Sequence, residues 1–78
     1  MNTTHEEYLN IRENHRLFLE EANKNNDKIF YYKSRISFGI KMPELGVNIK
    51  LMQKRLLKAE KDKEWLKSKL EECEKLLY

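Results

Sequence analysis

Between Ile49 and Leu77 apolar residues return every three and a half positions along the chain. With Ile49 as position a of a heptad, the a and d positions are Ile49, Met52, Leu56, Ala59, Lys63, Leu66, Leu70, Cys73 and Leu77. Only Lys63 among them is charged. The pattern predicts a long helix over residues 48–77 with a coiled-coil seam. Three g residues are followed five places on by an e residue of opposite charge: Arg55 with Glu60, Asp62 with Lys67, Lys69 with Glu74. Those pairs meet across a parallel, in-register interface, so the expected assembly is a parallel homodimer. Lys63 at a facing its own copy would cost stability while disfavouring slipped registers, or it snorkels out of an imperfect seam. The alternative is that the helix packs on its own chain. Leu51, Leu57 and Trp65 lie off the seam, and the amino-terminal helix folded back is the simplest cover for them.

A second amphipathic stretch opens the chain. Thr3 with Glu6, or Thr4 with Glu7, can form a capping box. Behind it Tyr8, Ile11, His15, Phe18 and Ala22 alternate at three- and four-residue spacing. This predicts a helix over about residues 4–24, ended by Asn23-Lys24-Asn25-Asn26-Asp27, whose side chains compete for backbone hydrogen bonds. The apolar phase nonetheless runs on through Ile29, Tyr32 and Ile36, which leaves open a helix reaching Phe38.

Residues 29–42 are ambiguous. With a period of two, Phe30, Tyr32, Ile36, Phe38, Ile40 and Met42 share a face, a strand or hairpin signature rich in aromatic and β-branched residues. With a helical period Ile29, Tyr32, Ile36 and Ile40 align instead. A lone strand in a helical chain needs a hairpin near Lys33–Arg35 or another subunit. Pro43 and Gly46 then place a break at 41–47, with Asn48 as the N-cap of the long helix. The fold class expected is mainly α, one small domain over residues 1–78, with a middle that is either β or helical.

Composition narrows the function. The chain has 78 residues, 37% of them charged, with a mean hydropathy of −0.88. That size is marginal for a solitary core and suits narrow apolar stripes completed by association. There is no membrane-length apolar window and no signal-peptide h-region, so a soluble, cytoplasmic protein without a membrane partner is expected. The single cysteine has no intrachain partner, in keeping with a reducing compartment.

Charge is unevenly spread. Residues 1–27 hold three basic and six acidic groups, residues 28–58 eight and one, and residues 59–78 five and six. The basic middle is the candidate polyanion contact: Lys28, Lys33, Arg35, Lys41, Lys50, Lys54, Arg55 and Lys58, with Tyr31, Tyr32 and Phe38 as candidate stacking residues. A solvated face is the plainer reading of the same lysines, and no helix-turn-helix pattern accompanies them.

Catalytic chemistry finds no support. Cys73 sits among leucines without a base, and His5 and His15 are ten residues apart, too far to ligate one ion from a helix face. Glu6-Glu7, Glu20-Glu21 and Glu71-Glu72 read as surface charge, and no phosphate-binding glycine loop occurs. No catalytic residue, metal site or cofactor is expected. The expected function is a non-enzymatic adaptor, assembly factor or inhibitor that dimerises through its carboxy-terminal helix and contacts another protein. Nucleic-acid binding by a dimer is the alternative.

Overall fold

The computed structural model describes residues 4–77 as two long helices, α1 (His5–Lys41) and α2 (Ile49–Leu77), joined by a short connection that holds one 3-10 turn at Pro43–Leu45. The helices run antiparallel and form a hairpin 60 Å long and about 15 Å across. The mainly helical expectation holds.

Local chemistry accounts for each end. Thr4 has extended backbone angles, and its Oγ1 accepts from Glu7 N–H at 3.2 Å, with Glu6 and Glu7 at the positive end of the helix dipole. The alternative box through Thr3 lies outside the described residues. At the other end Met42 N–H donates to Phe38 O at 2.8 Å, and Pro43 cannot extend the ladder. Gly46 takes the left-handed conformation (φ 67°) that ends the 3-10 turn, its N–H donating to Pro43 O. Asn48 Oδ1 then caps α2 by accepting from Leu51 N–H at 3.0 Å.

Two expectations are corrected here. The first helix does not end at Asn23–Asp27, and residues 29–42 form neither strand nor hairpin, since α1 continues unbroken through both. The physical reason is one seam. Ile11, His15, Phe18, Ala22, Asn25, Ile29, Tyr32, Ile36 and Gly39 follow each other at alternating four- and three-residue steps, and each is buried or half-buried. Helical stability comes mainly from packing such a stripe, which overrides the weak helix preference of the asparagines and β-branched residues along it. Asn25 does not break the helix because its side chain is turned across the seam. It is 7% exposed, and its Nδ2 donates to Ala59 O at 2.7 Å.

The partner of that stripe is the seam of α2. Ala59, Leu66 and Cys73 are buried, while Ile49, Met52, Leu56, Leu70 and Leu77 are half-buried. At the turn end the helices close on Gly39, where an added Cβ would stand 3.0 Å from Val47 Cβ and 3.1 Å from Ile49 Cγ1. The core is thin. Among the described residues its hydrophobic members below a tenth exposed are Ile29, Ala59, Leu66 and Cys73, and no large side chain is sealed completely.

Candidate interaction surfaces

The seam residues proposed for a dimer interface are thus engaged within one chain. Lys63 is exposed while its neighbour Asp62 is half-buried, so α2 is rolled slightly and the lysine leaves the seam for water. Three of the six charged residues that would pair across a parallel dimer have other neighbours: Asp62 meets Lys58 Nζ at 3.1 Å, Lys69 Nζ meets Glu72 at 3.4 Å, and Glu74 meets His15 Nε2 at 3.5 Å. Nor does α1 cover the Leu51, Leu57 and Trp65 flank as expected, apart from the edge contact of Phe18 with Trp65. It lies on the seam, leaving Leu57 and Trp65 each 55% exposed and Leu51 37%.

Antiparallel packing of two helices leaves two long faces, one on each side of the plane of their axes. The first carries a groove. Phe18 meets Trp65 edge-to-face at a centroid distance of 5.8 Å, and with Leu66 the pair floors a hollow of about 370 Å³ rimmed by Glu21, Lys24, Lys28 and Asp62. The groove continues toward the turn between Lys28, Tyr32, Arg55 and Lys58. Of the eight candidate polyanion contacts, Lys28, Arg55 and Lys58 therefore share one site, while Lys33, Arg35, Lys41, Lys50 and Lys54 are exposed but do not line it. Tyr32 is half-buried in this groove, Tyr31 packs edge-on against it at 5.6 Å, and Phe38 stands 52% exposed. The Lys69 ammonium lies 5.7 Å from the Trp65 ring centroid.

The opposite face has a different chemistry. Leu9, Arg12, Glu13, Arg16, Leu19 and Leu77 cluster beside His15 near the chain ends. The same helical phase continues along α1 to Phe30, Lys33 and Ile40, and along α2 the face carries Leu57, Glu60, Glu64, Glu71 and Glu74 together with Lys50, Lys61, Lys63 and Lys67. Arg16 is held by Glu13 and Glu20 on its own helix, which keeps the exposed Glu13 carboxyl below its usual range. Phe30, 74% exposed, is the most exposed large hydrophobic side chain among the described residues.

The periodicity alone could have exposed this arrangement. An unbroken four-three alternation runs from Ile11 to Gly39, although three of its positions, His15, Asn25 and Gly39, are not apolar. Among the described residues no three His, Cys, Asp or Glu side chains converge as a metal set, and no helix is long and apolar enough to cross a membrane. No family model matches the chain, and neither the curated proteins nor the solved structures contain a match.

Proposed function

We propose that this chain is a non-enzymatic interaction module, a helical hairpin that pairs with a second copy and offers its remaining face to another protein, as an adaptor, assembly factor or inhibitor does. The supporting observation is surface in excess of what the mass requires. A compact monomer of 9.5 kDa exposes roughly 5,000 Å², whereas the hairpin exposes 6511 Å². The excess includes Leu9, Leu19, Phe30, Ile40, Leu57 and Trp65, each more than two-fifths exposed. Exposed apolar side chains on both long faces of a chain with so thin a core favour completion by association.

The dimer proposed is built from closed hairpins, and α2 contributes its outer flanks rather than its seam. Sedimentation equilibrium at micromolar concentration is expected to give twice the 9.5 kDa chain mass. A single species at the chain mass throughout that range would end this reading.

Nucleic-acid binding stays as a second reading because the groove brings Lys28, Arg55 and Lys58 beside Tyr32. Three phosphate contacts would give log affinity a slope on log salt of about −3 on duplex DNA. Replacing Lys28 and Arg55 together would flatten the slope. Absence of binding to mixed single- and double-stranded DNA and RNA at low salt removes this reading.

A further inference from the structure

We infer that the turn end of the hairpin is a docking tip for an anionic lipid surface, entering the headgroup region end-on with both helices standing away from the membrane. The inference goes beyond the self-association proposed above and does not depend on it. Folding gathers residues 35–55 at one end of the 60 Å rod, and two separate properties meet there.

The first is unpaired positive charge. Every ionisable side chain of residues 35–55 is exposed: Arg35, Lys41, Lys50, Lys54 and Arg55, with Glu44 as the one carboxylate among them, a net +4. Among the described residues none of these five cations takes part in an ion pair, whereas toward the chain ends Arg16 is held by Glu13 and Glu20 and Lys69 by Glu72. The second is apolar surface. Phe38, Ile40, Met42, Leu45 and Leu51 are each more than a third exposed. They come from α1, the connection and α2 in turn, so they surround the tip rather than line one face.

The two properties are layered along the rod. At 1.5 Å rise per residue, Phe38 and Ile40 lie within about 5 Å of the end of α1 and Leu51 within about 3 Å of the start of α2, while Met42 and Leu45 lie in the connection itself. Arg35, Lys54 and Arg55 stand roughly 8–9 Å back from the helix ends, and Lys41 and Lys50 have stems long enough to carry their ammonium groups to the phosphates. An interfacial segment buries its apolar side chains about 5–10 Å into the boundary between headgroups and acyl chains, with its basic groups at the anionic surface. The tip has that order and that depth. A nucleic-acid backbone would engage the cations but leave Ile40, Met42, Leu45 and Leu51 in water. A partner helix would need a groove, and the hollow near the turn reaches only to Tyr32 and Arg55. Adsorption needs no spanning helix, and the expectation of no membrane partner rested on spanning windows alone.

Co-sedimentation with phosphatidylcholine vesicles, with and without phosphatidylserine, tests this. The unaltered chain is expected to bind the phosphatidylserine vesicles at low salt, to leave them at high salt, and not to bind phosphatidylcholine alone. K41Q/K50Q removes two cations, and I40Q/L45Q removes apolar side chains without changing charge. Both pairs are at exposed positions, so each variant is expected to keep its far-UV signal while binding weakens about tenfold or more. Trp65, the sole tryptophan, stands about 24 Å behind the start of α2 and is expected to hold its emission wavelength on binding. Failure to bind the phosphatidylserine vesicles, binding of either variant at the original affinity, or a blue shift of Trp65, which would lay the hairpin flat, overturns the inference. Tighter binding of the unaltered chain to duplex DNA than to these vesicles at the same salt also overturns it, in favour of a nucleic-acid contact.

Discussion

Asn25 and Gly39 show how single residues decide the geometry of the hairpin. Asn25 is a polar side chain on the seam, and its bond to Ala59 O ties one height of α1 to one height of α2 where an all-apolar seam could slide by a heptad. Asn25→Ala is expected to cost about 1 kcal/mol, the net worth of one such bond, read from urea unfolding followed by far-UV circular dichroism. Gly39 poses a contest of signs. Alanine raises helix propensity by about 1 kcal/mol, but its Cβ would come within 3.0 Å of Val47 Cβ, a β-branched residue with little freedom to yield. Overpacking of this kind costs about 1–3 kcal/mol. Gly39→Ala is therefore expected to destabilise the chain, read from the same urea unfolding. If Gly39→Ala alone stabilises the chain, the close approach at the turn end is wrong.

At the scale of elements, α2 was legible from its heptads and α1 only in part. Ile49 to Leu77 is a long apolar seam with a clear cap, and the sequence reading and the structure agree on its extent and on the Pro43–Gly46 break. The seam's partner was not legible, because a heptad repeat records that a face is covered without recording by which helix. The middle of α1 failed for a different reason. Phe30, Tyr32, Ile36, Phe38 and Ile40 satisfy a two-residue period as well as a helical one, and only the match of Tyr32, Ile36 and Gly39 to the α2 seam decides between them. The groove between Phe18 and Trp65 joins residues 47 positions apart, which no local pattern encodes.

The closed hairpin changes what a substitution in α2 does. Leu66, 7% exposed, packs on α1, so Leu66→Glu is expected to abolish most of the helical signal in far-UV circular dichroism at 25 °C, since a buried unpaired carboxylate costs several kcal/mol against a thin core. A helical Leu66→Glu monomer would instead mean that this seam serves assembly alone.

At the scale of the whole molecule, the account turns on two copies of a closed hairpin meeting through outer surfaces. The competing arrangement is a parallel pair of α2 helices using the seam, with α1 displaced. The two differ in where Cys73 sits. In a parallel, in-register α2 pair it lies opposite its own copy, within reach of a disulfide. In the closed hairpin it is buried against α1, 8% exposed, and mild oxidation is expected to leave the chains uncrosslinked while helicity is unchanged. A covalent Cys73 dimer that keeps its full helical signal would favour the α2 pair.

The most direct measurement locks the hairpin and then weighs it. In a Cys73→Ser background, Asn25→Cys and Ala59→Cys place two thiols where the helices meet side by side, 34 residues apart in the chain. Oxidation is expected to give an intrachain disulfide, and sedimentation equilibrium of the locked protein is expected to give twice the chain mass, as for the unlocked one. A locked chain that sediments as a monomer while the reduced form remains a dimer would contradict the account, because association would then require the seam that the lock holds shut.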